Sequence, residues 1–228
     1  MTVSKHMKNQ FIIISILLLL LTSCKSTSAD LEKFEKILGP EKSETLTKLT
    51  EDFENNFLTK KYPNTDLSES YWNFMVEITQ QNFPNKNELV SEENEKKYIS
   101  SGLINEKYHY PDSVWVKEKE IVSRWTYKDE SGKIKSYEDS IFIKSKDSVK
   151  IDSLFALEKN KVKFNYYGNY FKALEAAKSE SPFINLYYTY TAASGYASVS
   201  SLLQGIKDYN MEITGPVERR VLVLALVY

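Results

Sequence analysis

The chain is 228 residues long, with 30 Lys and Arg against 31 Asp and Glu, a net charge of −1, two histidines and one cysteine. This balance carries no basic excess to neutralise phosphates and argues against nucleic-acid binding. One cysteine excludes a disulfide within the chain, and so few His and Cys exclude a zinc site built from them.

The first predicted element is a targeting segment. Lys5 and Lys8 precede an apolar run from Phe11 to Leu21, interrupted by Ser15, and Leu21-Thr22-Ser23-Cys24 follows. A charged start, a short apolar stretch and a small-residue exit make a secretory signal, and the run is too short for a bilayer span of about 20 residues. These residues resemble the bacterial lipoprotein signal, whose lipobox reads Leu-small-small-Cys. The resemblance implies cleavage before Cys24, a diacylglyceryl group on its thiol and a further acyl chain, such as palmitate, on its new amine. A buried acyl CH₂ contributes about 0.8 kcal/mol, so two or three chains hold a protein at a membrane. Lys25 stands where some Gram-negative bacteria place Asp to retain a lipoprotein at the inner membrane, which favours the outer membrane. The sequence thus divides into a signal peptide at 1–23, a polar tether at 24–30 and one mostly helical domain at 31–228. Loss of Lys5 and Lys8 leaves 28 basic against 31 acidic residues.

Leu31 to Leu38 reads as a short amphipathic helix stopped by Gly39-Pro40. Leu46, Leu49, Phe53, Phe57 and Leu58 make one apolar stripe on a second helix from about Glu41 to Thr59, ended by Tyr62-Pro63. A third starts after Asp66 or Ser68, carries Tyr71, Trp72, Phe74, Met75 and Ile78, and stops near Phe83-Pro84. A polar fourth helix is expected from Glu88 to Ser100.

The middle differs. Runs rich in β-branched and aromatic residues, at 113–127 and 140–144, flank a turn-rich stretch around Gly132, which reads as a hairpin. The first run also reads as a helix carrying Trp115, Ile121, Val122 and Trp125, so both forms stand open for 113–145. Ile151 to Lys159 is expected to be helical, capped by Asp152.

Helices return at Tyr170–Lys178 and after Ser181-Pro182, an N-cap followed by proline at the first helical position. Gly195 breaks that helix, and Ala197 to Ile206 restarts it. The apolar run 221–228 fits a buried helix or strand; its start signals favour a helix. The fold class is mainly α, with a small β-hairpin possible in the middle. The span from Asn165 to Ile206 is similar to uncharacterised lipoproteins of low-GC Gram-negative bacteria, a resemblance that carries no activity with it.

Function is less legible. After signal removal only His109 remains, in an aromatic turn-like stretch with no nucleophile elbow, and is read as a loop histidine. Cys24 is committed to lipid. No glycine-rich phosphate loop or EF-hand loop occurs. Trp72, Trp115 and Trp125 are read as core residues, Glu51-Asp52 as a solvated pair, and Arg219-Arg220 as a helix-end or surface pair. The unusual cluster is tyrosine: Tyr166, Tyr187, Tyr188 and Tyr196 are the candidate patch for a ligand or partner. Because Tyr187 and Tyr188 are adjacent, they cannot share a helix face. The expectation is a lipid-anchored cell-envelope protein with a non-catalytic binding or scaffolding role. It needs no metal or cofactor, sits at a membrane through Cys24, and meets an envelope protein or glycan. The alternative is a hydrolase of envelope polymers using Asp and Glu across a cleft.

Overall fold

A computed structural model describes residues 29–80, 83–129, 131–144, 148–213 and 215–228; the expected signal at 1–23 and Cys24 lie outside these. The fold is mainly α. Helix α1 (Ala29–Leu38) begins two residues before the apolar pattern and buries Phe34 and Leu38. Gly39, at φ 89°, turns the chain into α2 (Pro40–Asp52), which continues as a π-helical stretch (Phe53–Leu58) and a last turn (Thr59–Lys61). The stripe expected there is buried: Leu46, Leu49, Phe53, Phe57 and Leu58 all face the core.

Helix α3 (Leu67–Thr79) is capped by Asp66, whose carboxylate accepts from the Glu69 N–H at 2.8 Å. It ends four residues before the predicted stop. The single helix expected over 88–100 is broken into a turn (Lys86–Leu89) and α4 (Glu92–Ser100). Asp52 explains the break. It is buried rather than solvated and accepts from the backbone N–H of Ser91 at 2.7 Å and from Asn94 Nδ2 at 2.9 Å. A backbone N–H held by a distant carboxylate is not available to a helical ladder. Burial alone would raise the Asp52 pKa, but these hydrogen bonds outweigh it and hold it below the usual carboxylate range.

A short α5 (Leu103–Lys107), not foreseen, leads into β1 (Tyr108–His109), which pairs with β5 (Lys163–Phe164). Between them the hairpin form holds, extended to three antiparallel strands: β2 (Ser113–Lys117), β3 (Glu120–Lys128) and β4 (Ile134–Phe142). The β3–β4 turn is closed by Asp129, which accepts from the N–H groups of Ser131 and Lys133, both at 3.0 Å, and by Gly132 at φ 79°. Helix α6 (Ser148–Lys159) packs on β2 and β3. It begins before the predicted start, so Asp152 is an interior residue and not its cap.

The C-terminal helices are α7 (Asn169–Ala177), α8 (Pro182–Ser194), α9 (Val199–Asp208) and α10 (Pro216–Val227). Helix α7 packs on α1, α9 on α3, and α10 on α1, α2 and α8. The apolar C-terminal run is helical, as its start signals favour, and Val217, Val221, Leu222, Val223, Leu224 and Val227 are buried. A helix apolar on most of its circumference belongs inside a core. Arg219 and Arg220 are not a surface pair. Arg219 meets Glu54 at 3.0 Å, and the buried Arg220 meets Glu35 at 2.6 Å and donates to Thr47 at 2.6 Å.

The Ser181 cap forms as expected: its Oγ accepts from the Ile184 N–H at 3.3 Å and donates to Glu218 at 2.5 Å. Glu218 in turn accepts from the Gly215 N–H at 2.7 Å, so one hydroxyl ties the starts of α8 and α10 together. Ser181→Ala is expected to cost about 1–2 kcal/mol in urea unfolding, the upper part of the range for caps. A loss below a few tenths would show that the cap contributes little here.

Candidate functional site: an aromatic cleft beside the sheet

The helical core and the sheet are separate packing units. Ile121, Val122 and Trp125 are buried but lie outside the main helical cluster, which reaches the sheet side through Phe164 and the half-buried Tyr108. A cleft of about 220 Å³ lies at this seam. Its lining comes from three stretches far apart in sequence.

Strand alternation sets the sheet wall. Trp125 and Tyr127 are two residues apart on β3 and so share a face; Trp125 stands opposite Tyr137 of β4, and Ser123 opposite Asp139. The second wall is β5 and the turn after it, with Lys163, Phe164, Tyr166 and Tyr167. The β1–β5 ladder puts His109 directly beside Lys163. Tyr127 and Tyr167 stack across the mouth, ring centres 5.1 Å apart and 16° from parallel. Tyr127 meets Tyr137 edge-on at 6.0 Å.

The polar groups are few. Lys163 Nζ lies 4.3 Å from the Trp125 ring centre and donates to Asp139 at 2.9 Å and to the Tyr137 hydroxyl at 3.2 Å. Burial lowers the Lys163 pKa, yet these partners outweigh it and raise it, so the ammonium stays charged but paired. Burial holds His109 below the ordinary histidine value, against the opposing effect of its hydrogen bond to Asn165, so its imidazole is neutral at pH 7. His109 Nε2 and Trp125 Nε1 are buried and have no hydrogen-bond partner among the described residues. The turn that carries Tyr166 and Tyr167 is pinned by Asn165, which donates to the Asn105 carbonyl at 2.8 Å and accepts from the Tyr167 N–H at 3.1 Å. A wider groove, with Asp112, Asp129 and Lys172 on its walls, adjoins the cleft and shares His109, Thr126, Tyr127 and Tyr167 with it.

The predicted tyrosine patch is divided. Tyr166 is 39% exposed and lines the cleft. Tyr188 is half-buried on the same side; it stacks on Phe171 at 4.9 Å, and Phe171 meets Tyr166 edge-on at 5.4 Å. Tyr196, 67% exposed, lies in the α8–α9 turn beside Gly195, which packs close to the Tyr166 hydroxyl. Tyr187 is 3% exposed and belongs to the core. The adjacent pair therefore points in different directions, about 100° apart around the helix. Of the tryptophans, Trp125 is core and Trp72 and Trp115 are half-buried. His109, Trp125, Tyr127 and Tyr137 were not foreseen as a site; their common location follows from strand register, to which α-helical spacing gives no clue.

Among the described residues, no group of three His, Cys, Asp or Glu side chains is placed to hold a metal ion. Among the described residues, neither Asp nor Glu lines the cleft itself. No protein-family model, curated protein or solved structure matches the chain. Fold and site together define a class: a mainly α protein with a small antiparallel sheet and an aromatic-walled cleft at the seam between them.

Proposed function

We propose that this protein is anchored in the cell envelope by lipid on Cys24 and binds a partner molecule in the aromatic cleft without transforming it. The cleft carries the binding half of this reading. It is concave and largely apolar, and its few polar groups come from three separate stretches of chain, the usual form of a binding site. Its lysine is engaged by Asp139, and among the described residues no carboxylate is hydrogen-bonded to its histidine. A hydrolase working through paired carboxylates finds little support. Glu54, a carboxylate held above its ordinary range by burial, lies elsewhere and is bound to Arg219 and to the Tyr71 hydroxyl.

The anchoring half rests on the signal and lipobox in the sequence. No helix among the described residues is long and apolar enough to cross a membrane. Cys24→Ser is expected to move the chain from the membrane pellet to the soluble fraction of broken cells. Retention of the variant in the pellet at the wild-type level would refute the anchor.

The binding half has its own reporter. In a chain cut before Cys24, His109 is the sole histidine, so its imidazole Cε1 proton gives one isolated NMR signal at the cleft. Detergent-solubilised envelope extract is expected to shift or broaden that signal. A signal unmoved by every envelope fraction would refute the cleft as the binding site.

A further inference from the structure

We infer that the cleft takes a single neutral sugar ring, the terminal or inner residue of a glycan; this rests on the reading of the cleft as a binding site. Size is the first argument. A volume of about 220 Å³ lies between the roughly 150 Å³ cavity that holds one benzene and the 300 Å³ at which drug-sized pockets begin. One six-membered ring fits it. The adjoining wider groove leaves room for a chain to continue.

Charge is the second argument. The Lys163 ammonium is balanced by Asp139 at 2.9 Å, and the imidazole of His109 is held neutral by burial. Among the described residues that line the cleft, an anionic ligand would meet no uncompensated cation, and a cationic one no free carboxylate. A neutral ligand loses nothing here.

Hydrogen bonding separates a sugar from other neutral rings. Trp125 Nε1–H can only donate, whereas a neutral imidazole nitrogen donates or accepts according to its tautomer. A hydroxyl does both, so a polyhydroxylated ring can satisfy the two unpartnered nitrogens at once. A phenyl or indole ring would fill the space and leave both unsatisfied, at the cost of buried orphan polar groups. The C–H face of a sugar packs on aromatic rings, which the walls supply. Both nitrogens are buried, so seating a hydroxyl takes a side-chain rotation at the mouth, where Tyr166 is partly exposed.

The test uses the full chain purified with its lipid, in a zwitterionic detergent free of sugar headgroups. Saturation-transfer NMR is run with D-glucose, D-galactose and N-acetyl-D-glucosamine, beside glucuronate and p-cresol. Saturable transfer to at least one neutral sugar is expected, with little to glucuronate or p-cresol. Tyr167→Ala should abolish it. His109→Phe keeps a flat ring and should weaken it about tenfold, the worth of one hydrogen bond; it also serves if Tyr167→Ala fails to fold. Transfer to p-cresol alone, or preference for glucuronate, would overturn the neutral-sugar assignment while leaving a binding cleft. Binding of none of the three sugars would overturn it too, and the His109 signal in envelope extract then decides separately whether the cleft binds anything.

Discussion

Wild-type stability is expected to rise between pH 7 and pH 9 through Lys107, and Lys107→Met is expected to lack that rise. Lys107 is buried at the end of α5. Its ammonium donates to the carbonyl of Leu224 in the last turn of α10 and lies 4.8 Å from the Tyr108 ring centre. A cation there suits the negative end of a helix dipole. No carboxylate pairs with it among the described ion pairs, and burial pushes its pKa down to about 7. The sign follows from proton counting. Above pH 7 the folded state has released the proton while the unfolded chain, with an ordinary lysine, still holds it. Stability then rises with pH at up to about 1.4 kcal/mol per unit, because the unfolded state binds more protons. Below pH 7 both states are charged and the burial penalty is present in full. Because Lys107 is half-deprotonated at pH 7, urea unfolding at pH 7, 8 and 9 should show the variant losing about 2 kcal/mol relative to wild type over those two units. Other titrating groups are common to both proteins and cancel. Parallel pH profiles would mean that Lys107 keeps its proton in the fold, held by the Leu224 carbonyl.

The second large effect is expected at Glu54. Its carboxylate accepts two bonds from Arg219 Nη1, each 3.0 Å, and one from the fully buried Tyr71 hydroxyl at 2.9 Å. This joins the π-helical stretch, α3 and α10. Burial raises the Glu54 pKa despite the arginine, so desolvation is a substantial cost of placing the group there. Removing one partner leaves the other charge uncompensated. Glu54→Met and Arg219→Met are each expected to cost about 2–3 kcal/mol, below the range for fully buried pairs because the Arg219 side chain is 27% exposed. The double replacement Glu54→Met with Arg219→Met should be close to wild type, giving a coupling of about 2 kcal/mol or more in a double-mutant cycle. Additive losses in the cycle would show that the two side chains act independently.

These contacts mark where local sequence information ends. Asp52 and Glu54 occupy an otherwise ordinary helical pattern, with no local sign that they hold residues 39 and 165 positions away. Their carboxylates matter because tertiary packing delivers Ser91 and Arg219 to them. The same delivery split the helix expected over 88–100, since local propensity cannot weigh a distant acceptor against one more turn.

The site shows the division most plainly. Adjacent residues on a helix diverge, so the sequence alone told that Tyr187 and Tyr188 would separate; which of them faced the core waited for α8 to be packed. The tyrosine density of 166–196 pointed to one wall of the cleft through Tyr166. The other wall was hidden, because 113–127 carries β-branched and aromatic residues that suit either period, and only strand pairing sets Trp125 opposite Tyr137.

What the sequence determined by itself was whatever depends on near neighbours: the helix stripes, the Ser181 cap and the turn at Gly132. What only the tertiary structure decided was whatever depends on distant residues meeting. The β1–β5 ladder sets His109 beside Lys163, 54 positions along the chain, and the cleft exists because two packing units meet there.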